Sequence, residues 1–383
     1  MSNPIELPTA IFIHSSNEMF GADRMLFRVI QVLLEEGSFR PEVWLPNDVA
    51  EAVDSLSTRL AVLGVVSRTM SLPILRRKYI TAVRLPGLIG RLIQLTVRLI
   101  VARPAVVWCG TSAALLAAPS ARLACCRQVV LHNQEIWSGS EARLLGPLAA
   151  CCSRIIAISE ASRASLKGRA AARSITIYNG SDEQSPPPHP VDQSAPGPLE
   201  FLMAGRWNSW KGHTTLLAAW NECDPAPGHL TIVGSPPDAG QAVDVWSLVR
   251  ELDSPQTVTV VGQVDDITPF IDAADFMLVP SDTPEPFGLV AIEAFARHRA
   301  VIASGGGGLG EIVTSRVDGI LFPNRDALAL ARVLASLDRA TAFELGEGGR
   351  STFDERFTLG VFFSEMRIIW RDLSFTFTRE AGR

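Results

Sequence analysis

Short runs of apolar, mostly β-branched residues return along this chain, separated by longer stretches with helical periodicity. In the first half the runs are Ala10–His14, Glu42–Leu45, Val106–Cys109, Val129–His132, Ile155–Ser159 and Ile175–Tyr178. In the second they are Phe201–Ala204, Leu230–Val233, Val258–Val261, Phe276–Val279, Val301–Ala303 and Ile320–Phe322. Strands that are apolar throughout need cover on both faces, as in a parallel sheet sandwiched by helices. Helical segments such as Arg24–Glu36, Thr214–Asn221 and Leu289–Ala296 lie between the runs and supply that cover. The pattern predicts an α/β architecture of doubly wound sheets.

The alternation is broken by Ser185-Pro-Pro-Pro-His-Pro-Val-Asp-Gln-Ser-Ala-Pro-Gly-Pro198 and restarts directly after it. Proline at this density rules out helix or central strand, so the segment reads as a linker or an extended surface loop. The chain of 383 residues is then expected to form two Rossmann-like domains of similar size, 1–185 and 199–355, with a cleft between them and residues 186–198 as the linker.

Hydrophobic residues at 47% and charged residues at 20% suit globular domains with large cores. A net charge of −5 argues against a strongly basic nucleic-acid binder. The longest apolar stretch, Leu85–Val107, is cut by Arg91, Arg98 and Arg103, which argues against a spanning helix. The N-terminus shows no basic-then-apolar signal pattern. The six cysteines lack zinc or thioredoxin spacing and read as small buried hydrophobes of a reducing cytoplasm; the six histidines show no metal spacing, so no metal is expected.

One region departs from the average charge. Between Asp54 and Glu135 there is no acidic residue, whereas eleven are basic: Arg59, Arg68, Arg76, Arg77, Lys78, Arg84, Arg91, Arg98, Arg103, Arg122 and Arg127. Within it, Leu88–Val101 carries Arg91 and Arg98 on one side and aliphatics over most of the rest. Such a helix either packs into a core with two solvated arginines or rests on anionic lipid, where each basic residue contributes about 1 kcal/mol.

Two segments of the second half carry chemistry. After the strand ending at Ala204, Gly205 lets the chain turn and Arg206 and Lys211 follow, a pair of cations suited to a diphosphate at the carboxyl end of a sheet. After the strand ending at Val279 comes Glu285-Pro-Phe-Gly-Leu-Val-Ala-Ile-Glu293. The amides of Phe287, Gly288 and Leu289 would open a helix and form an anion site there. Glu285 and Glu293 stand eight residues apart. That is too far for an acid/base pair on one helix face, but it suits gripping two ends of an elongated ligand.

These motifs resemble the donor domain of retaining GT-B glycosyltransferases of family 4, the group that includes glycogen synthases and phosphatidylinositol mannosyltransferases. The resemblance rests on Gly205-Arg-Trp-Asn-Ser-Trp-Lys-Gly212, on the Glu285–Glu293 motif and on Gly307-Gly-Leu-Gly-Glu-Ile-Val313. Weaker matches follow in the same order in the first half: Phe20-Gly-Ala-Asp-Arg24, Leu131-His-Asn133, Ile156-Ala-Ile-Ser-Glu160 and Tyr178-Asn-Gly180. The first of these resembles a subset seen in cell-surface polysaccharide assembly.

The resemblance implies a role for each position. Arg206 and Lys211 match the pair on the donor diphosphate, and Glu285 the carboxylate facing the donor sugar. Phe287, Gly288 and Leu289 match backbone contacts to sugar and phosphate, and Glu293 the ribose contact. Gly21 and Ala22 match the N-terminal glycine loop. Val264, in the loop Gly262-Gln-Val-Asp-Asp-Ile267, lies near the base pocket. His132 is either near the reacting centre or a satisfied cleft histidine. Asp23 is expected to cap a helix starting near Arg24, and Ser159 to be either a cleft residue or a cap. The last segment, about 356–383, is expected to pack back on the first domain.

The implied reaction moves a sugar from a nucleotide-diphosphate sugar to an acceptor hydroxyl with retention, without metal or cofactor. A lipid-linked saccharide at an anionic membrane face is the acceptor the basic stretch favours. A sugar phosphorylase, a nucleotide-sugar epimerase or a non-catalytic donor-binding scaffold would carry a similar donor half.

Overall fold

The computed structural model describes residues 7–49, 54–76, 85–182, 187–237 and 241–381. Arg77, Lys78 and Arg84 of the basic stretch, and Ser185 and Pro186 at the start of the proline-rich segment, lie outside them. The chain divides into two compact units. The first runs to Tyr178 and resumes at Phe362; the second spans Asn179–Val361.

The first unit is built on a seven-stranded parallel sheet. Its strands are β1 (Thr9–Ile13), β2 (Arg40–Pro46), β3 (Val66–Met70), β4 (Val106–Cys109), β5 (Gln128–Asn133), β6 (Arg154–Ala157) and β7 (Ser174–Thr176), in the order β3-β2-β1-β4-β5-β6-β7. The two faces of β1 and β4 have separate cores. Ile11, Ile13, Val107 and Cys109 join the aliphatic cluster that also holds Leu95 and Leu99. On the other face Phe12 and Trp108 meet Trp370 of the helix Leu359–Ala381, with the two indoles stacked at 5.1 Å between ring centroids. Ion pairs of Arg367 with Glu35, Arg371 with Glu36 and Arg154 with Asp372 line the edges of that helix.

Only β3 has no counterpart among the sequence runs. Its residues, Val-Ser-Arg-Thr-Met, lie on the sheet edge and are half-buried or exposed, so neither apolar continuity nor burial marks them. Cys109, Cys126 and Cys152 are buried, and burial raises their thiol pKa values, that of Cys126 to about 11 and that of Cys152 to about 12.

The helix Leu85–Ala102 turns Leu95 and Leu99 into the core and leaves Ile89, Ile93, Val97, Ile100 and Val101 exposed. Its aliphatics thus occupy two opposed faces, with Arg98 exposed at the border of the outer one. Among the described residues no helix is long and apolar enough to cross a membrane.

The second unit has six parallel strands, β8 (Leu199–Ala204), β9 (Gly228–Val233), β10 (Val258–Val261), β11 (Phe276–Val279), β12 (Ala300–Ser304) and β13 (Gly319–Phe322), in the order β10-β9-β8-β11-β12-β13. Phe201 on β8 stacks on Phe276 of β11 at 5.6 Å, and Trp220 packs edge-on against Phe201.

Residues 187–198 of the proline-rich segment group with this unit, and the division between the units falls earlier, at Tyr178–Asn179, than the expected linker. Val191 enters the core cluster. The buried Arg299 guanidinium donates to the His189 carbonyl, and Arg339 donates to the carbonyls of Ala195, Gly197 and Pro198. A proline-rich segment cannot join a ladder, but its carbonyls still need donors, and two arginines supply them at His189, Ala195, Gly197 and Pro198.

Candidate active site

In both sheets the chain order reverses at one place, between β1 and β4 in the first unit and between β8 and β11 in the second. Strands on either side of such a point send their connections to opposite faces, which opens a crevice at their carboxyl ends.

In the second unit that crevice holds the loops after β8 and β11. Lys211 Nζ donates to both carboxylate oxygens of Glu285, at 2.8 and 3.0 Å, and Ser281 Oγ donates to Glu285 Oε2 at 2.7 Å. Glu285 is only 6% exposed, so these donors take the place of water around its carboxylate. The Lys211 ammonium also sits 4.3 Å from the ring centroid of Trp210, a cation–π contact.

Close backbone approach positions the pair. Gly212, at φ 80°, lies against the Pro280 carbonyl; a Cβ there would stand 1.8 Å from that oxygen. Asp282 N donates to the Trp210 carbonyl at 2.8 Å, tying the two loops together. Gly212→Ala is therefore expected to cost about 2–4 kcal/mol, from overpacking and left-handed strain together. Gly262→Ala, at an open position, should stay within about 0.5 kcal/mol. Urea unfolding of both variants checks this.

A third loop holds Glu285 from behind. Glu285 N donates to Gly306 O, and Gly308 N donates to Glu285 O at 2.7 Å. Asn324 Nδ2 donates to the Ser281 carbonyl at 2.6 Å. Gly288, at φ 115°, precedes the helix Leu289–Ala296, and no described side chain caps that helix, which leaves its N-terminal end without a side-chain acceptor. Phe287 is buried edge-on against Phe357.

Arg206 is exposed in the loop after β8, where Gly205 takes φ 149°. Glu293 is buried within the helix and lines a small cavity with Asp182, Ile267, Thr268, Ile271 and Arg297. Val264 is half-buried after β10, two places from β8 in the sheet.

In the first unit, the crevice contains His14 after β1. Its Nε2 lies 3.2 Å from Asp23, which also accepts a bond from Ser16 Oγ at 2.8 Å. Two expectations are corrected here. The helix begins at Gly21, so Gly21 and Ala22 form its first turn and not a loop; the extended Phe20 stands at the cap position. Asp23, as the third helical residue, turns to His14 and Ser16 and does not cap. Ser159 does cap, accepting from Ser162 N at 3.0 Å.

His132 on β5 is fully buried, edge-on to Trp108, and neither ring nitrogen has a hydrogen-bond partner among the described residues. Burial, helped by nearby His14, lowers its pKa to about 3, so the imidazole is neutral. The unfolded chain protonates near pH 6.5 and the folded one does not. Stability from this group is thus complete above about pH 6.5 and is lost by about 1.4 kcal/mol per unit as pH falls towards 3. His132→Phe is expected to flatten that slope in urea titrations at successive pH values.

Sequence reasoning missed Ser281, His14 and Glu135. Ser281 lies two residues beyond the end of β11 and His14 directly follows β1, and this position after a strand is the signal that could have marked them. Glu135 accepts a 2.6 Å bond from Ser112 Oγ. It keeps part of its surface open, yet desolvation still raises its pKa, opposed by the Ser112 bonds.

Residues 198–338 match the family described as Glycosyl transferases group 1. The chain is 31% identical over 167 residues to a glycogen synthase of Mycobacterium tuberculosis, covering 43% of this chain and 39% of that protein. It is 34% identical over 167 residues to a D-inositol 3-phosphate glycosyltransferase of Xylanimonas cellulosilytica, covering 42% and 38%. The matched segment thus spans about two fifths of these curated relatives. Among solved structures, Anabaena HepE in complex with UDP-glucose superposes with a TM-score of 0.77 at 20% identity, over 95% of this chain and all of that one. The fold is GT-B, with two doubly wound α/β domains.

Proposed function

With residues 198–338 forming a group 1 glycosyl transferase domain, we propose that the protein moves a glycosyl group from a nucleotide-diphosphate sugar to an acceptor hydroxyl, retaining the anomeric configuration. The observation that carries this reading is the Lys211–Glu285 pair at the switch point, beside an uncapped helix terminus.

Lys211, Arg206 and the amides at Gly288 and Leu289 meet the diphosphate, where charge builds as the bond to C1 breaks. Glu285, held by Ser281, accepts hydroxyls of the donor sugar. Glu293 holds the ribose, and the loop containing Val264 borders the base. The acceptor oxygen bonds to C1 on the face the phosphate leaves, and its proton passes to the departing phosphate oxygen. No protein nucleophile, metal or cofactor takes part, so positioning supplies most of the acceleration. In the first unit, Gly21 and Ala22 open the helix after β1, and the crevice of that unit, with neutral His132 at the end of β5, is the acceptor side.

UDP-sugars are the first donors to test, because the HepE neighbour is complexed with UDP-glucose. The acceptor is a lipid-linked saccharide of cell-surface assembly, met by a cytoplasmic protein at an anionic membrane. Incubation with single nucleotide sugars and extracted lipid acceptors should release the nucleoside diphosphate only when both substrates are present. Chelator should not alter the rate, and proton NMR of the product should show the donor's anomeric configuration. Inversion, or turnover requiring inorganic phosphate, would remove this reading.

A further inference from the structure

The helix Leu85–Ala102 in the first unit is apolar on the side away from its own core. Ile89, Ile93, Val97, Ile100 and Val101 are 51%, 60%, 54%, 49% and 78% exposed. At about 100° per residue these five fall within one arc of about 120°, while buried Leu95 and Leu99 lie on the opposite side. Solvent-facing helix positions usually carry charged or long polar side chains; here β-branched aliphatics form a continuous stripe. Single exposed apolar residues are ordinary, but an aligned row on one helix marks a surface that is covered in use.

Charge selects the cover. No residue from 55 to 134 is acidic, and exposed Arg98 and Arg103 lie on or just beyond the helix. Two copies joined through this stripe would bring arginines together with no carboxylate of the segment to neutralise them. An anionic lipid surface reverses that cost: the aliphatics enter the acyl boundary and the arginine stems reach headgroup phosphates. Lying in the surface plane, eighteen residues present a contact about 27 Å long.

We propose that the outer face of the helix Leu85–Ala102 docks the protein on an anionic bilayer, with Ile89, Ile93, Val97, Ile100 and Val101 inserted and Arg98 and Arg103 at the headgroups. The inference names the surface for the membrane location proposed above, but its test uses neither donor nor acceptor, so its failure leaves the transfer chemistry standing.

The full chain is floated with phosphatidylcholine vesicles, with and without phosphatidylglycerol. Binding is expected only with phosphatidylglycerol and should weaken as salt rises. The double variant Ile93→Asp/Val97→Asp should lose at least tenfold in vesicle affinity. Arg98→Ala and Arg103→Ala should each lose about fivefold. All four positions are exposed, so the variants' melting curves should match wild type. Wild-type protein that stays in solution with both vesicle types would overturn the proposal. So would aspartate variants that float undiminished, or a concentration-dependent dimer that those variants abolish.

Discussion

Lys211→Ala is expected to lower turnover by about 10²–10³, with Glu285→Ala falling in the same range. Lys211 serves the second unit twice. It neutralises a carboxylate that is 6% exposed and supplies the positive charge for a leaving diphosphate. Removing it leaves Glu285 with Ser281 as its remaining described side-chain donor. The two losses should therefore not add: the double variant is expected to be little worse than either single one, because the pair acts as a unit. Lys211→Arg should not restore the rate, since a planar guanidinium cannot take the compact position between Trp210 and Glu285. Steady-state rates with melting curves on all four proteins check this. Full additivity, or wild-type turnover in both single variants, would show that the pair is not the donor clamp.

Trp370→Ala is expected to destabilise the first unit by about 3–5 kcal/mol. Its indole is fully buried, stacked on Trp108 and within 6.0 Å of Phe12 and Phe39 by ring centroid. Around it the protein is close-packed, so the lost volume becomes a cavity lined by aromatic rings that cannot collapse into it. On the same helix, Ile368 and Phe375 are 66% and 67% exposed, and their alanine variants should stay within about 0.5 kcal/mol. Denaturant unfolding followed by the remaining tryptophans separates these outcomes. A small effect at Trp370 would mean that the helix adds little to the unit.

The strands were legible where they are central, because parallel strands covered on both faces must be apolar at every position. β3 was not legible, because an edge strand with half-exposed residues carries no such mark. Strand order was out of reach, and with it the switch points that give the residues after β1 and β11 their place. His14 therefore read as the last residue of a strand run and Ser281 as an ordinary loop residue, although Ser281 orients Glu285. The spacing of Glu285 and Glu293 and the sequence Glu285–Leu289 marked the donor loop, because a helix start needs a permissive glycine there. The proline-rich segment misled for a physical reason. Composition reports what a segment cannot form, and not which arginines will bind its carbonyls.

The helix Leu359–Ala381 has a consequence for the birth of the protein. Trp370, the ring that fills one side of the first sheet, is made after every residue of the second unit. During synthesis the earliest strands reach the ribosome exit with Phe12 and Trp108 still uncovered, and they wait for nearly the whole chain before that side can close. A nascent chain stalled before Phe362 should bind trigger-type chaperones and be cut by protease within its first unit, while its later unit already resists.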